Sequence, residues 1–162
     1  HIVTMFNDMD LPQNYKAETA LGMFYLEEIP IPDMLEAYEK LVWFIDGGEE
    51  KDVAVQARVM DWEQDEKIIF SAVNKLVKDE VRERPYMHWW TFLGYLREVG
   101  ESTFITVVSI RTKKSKGKKL DKVDQEFYNA NKNLIRLKKK MSKAERQEIE
   151  EIRRKFGYGK EV

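Results

Sequence analysis

The chain of 162 residues contains no cysteine. This absence excludes disulfides, zinc sites with thiolate ligands, iron–sulfur clusters held by cysteine, and cysteine nucleophiles. A chain of this length buries roughly 70% of the surface that its unfolded form exposes, so it needs no such cross-link to fold. Neither Gly47-Gly48 nor Gly157-Tyr158-Gly159 fits a Walker or dinucleotide-binding pattern, so we predict a protein without a cofactor. The lack of cysteine also suits a reducing compartment.

Long apolar runs and histidine are scarce as well. No segment approaches the roughly 20 apolar residues of a membrane span, and no signal peptide is recognisable. The chain begins with His1 instead of Met, so we expect a start that was trimmed or fused. His88 is the other histidine, whereas a structural zinc site needs four ligands, usually cysteine or histidine. We therefore expect no metal site and no contact with a membrane.

Charge is divided unevenly along the chain, although its formal net charge is only −1. Residues 1–100 hold ten Lys and Arg against twenty Asp and Glu (10 − 20 = −10), and residues 101–162 hold eighteen against nine (18 − 9 = +9). Such segregation indicates an interaction surface or contact between the two halves. The basic half also raises a nucleic-acid hypothesis, but its lysine run at 113–119 has no interleaved aromatic residues for base stacking. A solvated face, or one that docks on acidic protein, is favoured.

Hydrophobic spacing and capping residues predict an all-α fold, in which a compact helical domain precedes a C-terminal basic helical extension. The segment after Ser102 is rich in β-branched residues, which favours a strand, but a lone strand would have no partner. We therefore predict a helix with Ser102 as its N-cap. The other predicted helices cover 15–28, 32–45, 61–78, 85–99, 120–140 and 142–156, and a loop with a short helix fills 49–60. The predicted domain division is 1–112 for the helical core, 113–119 for a lysine-rich loop and 120–162 for the extension.

Apolar residues at helical spacing predict the core. We assign to it six side chains: Ile69, Val73, Leu76, Trp89, Phe92 and Leu93. Trp89 and Trp90 point about 100° apart on a helix, so Trp90 leans away from the face that Trp89 shares with Phe92. Trp90 either packs on a neighbouring helix or lies in an interface, where tryptophan is enriched, and the core position is favoured.

Two groups invite a catalytic or metal-binding interpretation. The carboxylates between Asp61 and Glu66 resemble a calcium loop, but Glu66 stands at the sixth position, where such a loop needs glycine. An acidic helix start, with Asp61 as N-cap and Gln64 completing a capping-box pattern, is favoured. His88 is favoured as a packed side chain that donates to a backbone carbonyl, because no nucleophile-elbow sequence accompanies it. We therefore predict a non-enzymatic protein with no catalytic residue.

Three spaced motifs carry a resemblance to a known family. They are Asp61-x-x-x-Asp65-x-x-Ile68-x-x-Ser71-Ala72, Met87-His88-Trp89-Trp90-x-Phe92-x-x-Tyr95-Leu96 and Ile110-Arg111. A lysine loop and a basic helix with Phe127-Tyr128 and Leu134 follow, and Trp43-Phe44 precedes Gly47-Gly48 upstream. Over residues 20–140 this order resembles the bacteriophage "gene product fifteen" family of long-tailed phages and prophages of Gram-positive bacteria.

The resemblance implies a small helical protein of the phage tail module, similar to a tail assembly chaperone. Such proteins are not enzymes; they coat the long helical tape-measure protein in the host bacterial cytoplasm before tail-tube subunits polymerise around it. The implied partner is the tape-measure protein or another tail protein, and a homo-oligomer stays open. Candidate protein-binding residues are Trp43, Trp90, Arg136, Lys139 and Lys140. A structural tail or virion component is the alternative, and a nucleic-acid-binding module is the less favoured third.

Overall fold

The computed structural model describes residues 2–49, 57–138 and 142–155. Within these ranges the regular elements are all helical, which confirms the all-α prediction. The helices are α1 (Ile2–Phe6), α2 (Gln13–Phe24), α3 (Met34–Ile45), α4 (Glu66–Val77), α5 (Trp89–Glu98), α6 (Thr103–Ser115), α7 (Lys122–Ala130), α8 (Lys132–Ile135) and α9 (Lys143–Lys155), with single 3-10 turns at Ile31–Asp33 and Val81–Glu83. None of the described helices is long and apolar enough to cross a bilayer.

Contacts within the chain group it into two compact units, of which the smaller joins residues up to 39 with those from 139, and the larger spans 40–138. The domain division at 112 and 119 stays a prediction. In the smaller unit, the buried Lys16 donates from Nζ to the Phe6 carbonyl at 3.3 Å. Ser142 and Glu145 form the predicted capping box of α9, because each side chain accepts from the backbone N–H of the other.

The core of the larger unit lies where α4, α5 and α6 meet. Ile69, Val73 and Phe92 are buried there, as predicted. Trp89 packs against this cluster while half-buried, and Leu93 is half-buried as well. The prediction for Leu76 is wrong, since its side chain is 41% exposed. It lies in the last turn of α4 and lines an open cleft beside residues 99–102, which cover it only in part.

Helix α6 confirms the choice of helix over strand after Ser102. The Ser102 hydroxyl accepts from the Ile105 N–H at 3.3 Å, as an N-cap does. Val107 and Ile110 are fully buried on one face of this helix. Burial of an apolar face supplies most of a helix's stability in a protein, so it overrides the strand propensity of β-branched residues. The helix continues to Ser115, so the first part of the predicted lysine loop is helical.

The single helix predicted over 120–140 is wrong. Helix α7 ends at Ala130, and α8 is a separate short turn. Asn131 separates them with φ −124°, and its side-chain Nδ2 donates to the Phe127 carbonyl at 3.0 Å. This break lets the chain bring Ile135, 2% exposed, against the buried face of α6. Residues 50–56, which carry most of the predicted loop and short helix before Met60, lie outside the described residues.

Candidate protein-binding site

Two glycines close the end of α3, whose residues from 40 onward belong to the larger unit. The Gly48 N–H donates to the Trp43 carbonyl at 2.9 Å, and the Gly47 N–H donates to the Phe44 carbonyl at 3.1 Å. This bonding pattern is a Schellman motif. Both glycines have positive φ, 77° and 80°, a conformation that residues with a Cβ seldom adopt. The predicted helix stop at Gly47-Gly48 is therefore confirmed.

The adjacent tryptophans of α5 bind the carbonyls of the same helix end. Trp89 donates from Nε1 to the Ile45 carbonyl at 2.9 Å, and Trp90 donates from Nε1 to the Phe44 carbonyl at 2.8 Å. The last carbonyls of a helix have no partner within that helix. The start of α5 thus caps the end of α3, and both indole N–H groups are used inside the molecule.

Four aromatic rings meet at this corner, and we call Trp43, Phe44, His88 and Trp90 the aromatic patch. The ring centroids of Trp43 and Trp90 lie 5.1 Å apart at 75°, and Phe44 stacks on Trp90 at 5.6 Å and 29°. Both arrangements are favourable for aromatic pairs. Trp43 is 45% exposed and Trp90 36% exposed. Trp90 thus packs on the neighbouring helix α3, which confirms one of the two predicted alternatives, but the favoured core position is wrong because the residue is exposed.

His88 caps α5 and does not serve as the hydrogen-bond donor predicted from the sequence. Its Nδ1 accepts from the Trp90 N–H at 3.2 Å, and its extended backbone places it just before the helix. Its ring meets Phe44 at 5.6 Å and Trp90 at 5.9 Å, both edge to face. The sequence predicts that this helix starts at Pro85. In the structure, α5 begins four residues later, at Trp89. Across the described ranges, no group of three or more His, Asp or Glu could hold a metal ion.

A buried ion pair orders the other side of the larger unit. The side chains of Arg111 and Asp65 are 4% and 0% exposed. The two terminal nitrogens of the Arg111 guanidinium, Nη1 and Nη2, each donate to one oxygen of the Asp65 carboxylate. Arg111 also donates to the carbonyls of Val59, Leu134 and Ile135 at 2.8–3.1 Å. A guanidinium has five N–H donors, so these five bonds use all of them. Arg111 therefore ties the start of α4 to the end of α8 through α6.

The acidic segment before α4 builds its own turn around this pair. Asp61 accepts at Oδ1 from the N–H groups of Glu63 and Gln64, and Asp65 returns the bond by accepting from the Asp61 N–H at 2.9 Å. The Gln64 N–H donates to Asp61 as a capping box requires, but the bond returned to the Asp61 N–H comes from Asp65 and not from Gln64, so only half of the predicted box forms. The Gln64 side chain instead donates to the Arg136 carbonyl at 2.8 Å and accepts from the Lys138 N–H at 2.9 Å. The prediction that Asp61 is the N-cap of the helix is wrong, because α4 begins at Glu66 and Asp61 caps the turn that precedes it.

A cleft of about 180 Å³ opens beside Arg111, and we call it the basic cleft. Its lining includes Arg58, Lys114, Tyr128, Ile135, Arg136 and Leu137. The Lys114 ammonium lies 4.2 Å from the centroid of the Tyr128 ring, and Arg136 Nε donates to the Tyr128 hydroxyl at 3.4 Å. The hydrogen bond from the Arg136 guanidinium lowers the pKa of Tyr128, because a nearby positive charge stabilises the phenolate. Both contacts belong to the larger unit.

The comparison with known families agrees with these motifs. Residues 1–137 match the family model described as bacteriophage Gp15 protein. The chain belongs to this family. No curated protein and no solved structure matches the chain. The Gp15 family match spans the aromatic patch, the Asp65–Arg111 pair and the basic cleft up to Leu137.

In this Gp15 family chain, the predicted binding residues fall into separate places. Trp43 and Trp90 are brought together in the aromatic patch. Arg136 lies at the basic cleft, while Lys139 and Lys140 lie outside the described residues. Their role in binding a partner stays a prediction at all five positions.

The sequence analysis of the Gp15 family chain quoted Phe44 and Arg111 only as parts of the family motifs and assigned a structural role to neither. Phe44 joins the aromatic patch through its ring and its carbonyl, and Arg111 organises the opposite side of the unit. A signal for Phe44 existed, because an aromatic pair directly before a Gly-Gly helix stop lies in the turn whose carbonyls need caps. Arg111 carried no comparable local signal, since its partners lie 23 to 52 residues away in the sequence.

Proposed function

We propose that this Gp15 family protein is a non-enzymatic, tail assembly chaperone-like protein that binds the tape-measure protein in the host bacterial cytoplasm during tail morphogenesis. Membership of a phage protein family supports a role in the phage life cycle. The observation that carries the binding role is the exposed Trp43–Trp90 pair. Tryptophan is enriched among the residues that dominate protein interfaces, and a rigid pair needs little ordering when a partner binds.

The aromatic patch suits an apolar partner better than a polar one. Trp90 uses its indole N–H on the Phe44 carbonyl, so the surface it shows to solvent is the carbon face of the ring. The glycine turn also holds the two indole rings in place, because Gly48 packs closely against the rings of Trp43 and Trp90. A surface of this kind recognises apolar side chains by shape and burial.

A tape-measure protein offers such side chains. A long amphipathic helix exposes an apolar stripe before assembly, and an exposed stripe of that kind is prone to aggregation. Side chains at helical spacing can insert into an apolar surface of a helical binding protein. Many weakly bound copies along one helix gain avidity, yet each copy can leave as tube subunits replace it.

Co-expression with the tape-measure protein of the same phage tests the proposal. The wild-type protein should raise the soluble fraction of that partner, and Trp43→Ala should lose the effect. Tyr86→Ala is the matched control, because Tyr86 is a 76% exposed aromatic residue that is not part of the aromatic patch. No rise with the wild-type protein would refute the chaperone role. An equal rise with Trp43→Ala would refute the use of the aromatic patch.

Two alternatives are separated by direct measurements. Mass spectrometry of purified virions should not find a chaperone, whereas a structural tail component would be present in the finished particle. Binding to nucleic acid is disfavoured by the local partners of the basic segment, since Lys113 forms ion pairs with Asp121 and Asp124, and Lys114 covers the Tyr128 ring. A gel shift of labelled DNA or RNA at low salt would support that alternative.

A further inference from the structure

The basic cleft is lined by four basic side chains, one hydroxyl and an apolar wall. Arg58 is paired with Asp61, and Arg111 has spent all five donors on protein acceptors. Lys114 and Arg136, in contrast, have no carboxylate partner among the residues that the structure describes. Two positive charges with unused N–H donors therefore border one small cavity.

Hydrogen bonds from Gln64 and Arg111 hold the backbone of the cleft lining in place. The backbone around Arg136 is fixed by Gln64, which donates to the Arg136 carbonyl and accepts from the Lys138 N–H, and by Arg111, which binds the two preceding carbonyls. The Tyr128 hydroxyl accepts from Arg136 and keeps its own proton available as a donor. Donors fixed before binding lose little entropy when an anion arrives.

The chemistry of the lining selects among anions. Ile135 and Leu137 add apolar surface next to the cations, which fits a carboxylate carried on an apolar chain. A nucleic acid would need an open aromatic face for base stacking, but the Tyr128 ring already carries the Lys114 ammonium at 4.2 Å. Residues 111–138 hold ten Lys and Arg against three Asp and Glu (10 − 3 = +7), which attracts acidic protein.

We propose that the basic cleft, between Lys114, Tyr128 and Arg136, binds a carboxylate side chain from an acidic and apolar segment of a partner protein. The Arg136 guanidinium and the Lys114 ammonium bind the carboxylate oxygens, and the apolar wall contacts the neighbouring side chain. This site uses other elements than the aromatic patch. It does not rest on the proposed chaperone role, because the purified chain alone can be tested.

Fluorescence anisotropy with a labelled peptide of repeated Glu-Glu-Leu tests the site. Arg136→Gln and Lys114→Gln should each weaken binding roughly tenfold, as expected for the loss of one charged hydrogen bond. The control is Lys132→Gln, which removes the same charge from an exposed residue of α8 that does not line the cleft. Binding should also fall as salt is raised. Circular dichroism and melting establish that each variant is folded, and if one variant fails to fold, the other carries the test.

Any of the following results would overturn the proposed carboxylate site. No binding of the Glu-Glu-Leu peptide, or equal binding of a Gln-Gln-Leu peptide, would remove the carboxylate site. An equal loss with Lys132→Gln would show a general attraction to positive charge instead of a site. Tighter binding of labelled single-stranded poly(dT) than of the peptide would assign the cleft to nucleic acid.

Discussion

Arg111 on α6 forms a two-pronged ion pair with Asp65, the residue that precedes α4, with N–O distances of 2.5 and 2.9 Å. Both side chains are almost fully buried. A buried charge without its partner is costly, whereas a fully satisfied pair is tolerated in a protein interior. This pair therefore makes the packing of α4, α6 and α8 depend on one guanidinium.

Replacement of Arg111 by Met should destabilise the protein strongly. The variant leaves Asp65 buried without a cation and frees three backbone carbonyls, so we expect a loss of about 3–5 kcal/mol in the free energy of unfolding. Urea denaturation followed by circular dichroism measures the loss. Arg84→Met breaks the exposed pair with Asp79 and should cost less than about 1 kcal/mol. Similar costs for the two variants would show that the buried pair does not organise the unit.

The sequence predicted those parts of the fold that depend on local patterns. Ser102, the Ser142–Glu145 box and the glycine stop after α3 each act within a few residues, and each is confirmed. Ile69 and Val73 were found because a periodic stripe on one helix is visible without knowledge of its neighbours.

The parts that sequence reasoning missed depend on distant partners. Gln64 was assigned to a local capping box, but its amide binds backbone groups more than 70 residues away. The mostly polar sequence around Asn131 predicts one continuous helix. The helix breaks there because the break allows Ile135 to be buried against α6. Trp43 and Trp90 are each recognisable in the sequence as candidate binding residues. The local sequence around either one does not indicate that the two rings contact each other.

Replacement of Gly48 by Ala should disturb the aromatic patch. A Cβ at this position would approach Trp90 at 3.2 Å and Trp43 at 3.3 Å, and φ is +80°. Strain at such a position costs about 1–3 kcal/mol. Gly22→Ala is the control, because Gly22 lies in α2 with open space around it and should gain about 0.4–1 kcal/mol. Thermal melting measures both, and an unchanged or raised melting temperature for Gly48→Ala would contradict the described turn.

Acid should remove one specific contribution to stability. The Glu80 carboxylate accepts from the Arg82 backbone and guanidinium and from Asn74, and these bonds lower its pKa from 4.5 to about 2. A carboxyl whose pKa is depressed in the folded state stabilises the fold above its unfolded pKa, and that stabilisation is lost as pH falls from about 4.5 toward 2.

Glu80→Gln tests this pH dependence. The variant should be less stable than the wild type near neutral pH, and the difference should shrink as pH falls below 4.5. Urea titrations at stepped pH values measure it. Glu83→Gln is the matched control, because the Glu83 carboxylate lies in the same 3-10 turn and does not share the Arg82 and Asn74 bonds. A difference for Glu80→Gln that stays constant with pH would contradict the assignment.

Trp89→Ala should cost about 3–5 kcal/mol and unfold the larger unit at modest urea concentration. The indole stacks on Phe92 with centroids 5.7 Å apart and contacts Trp62 at 5.5 Å, so its removal empties the space between α5 and the segment before α4. Trp89→Phe keeps an aromatic ring but loses the N–H bond to the Ile45 carbonyl, and it should cost about 1 kcal/mol from that bond. Melting scans that show equal, small losses for both variants would mean that Trp89 is not part of the core, because only a packed ring makes the size of the replacement matter.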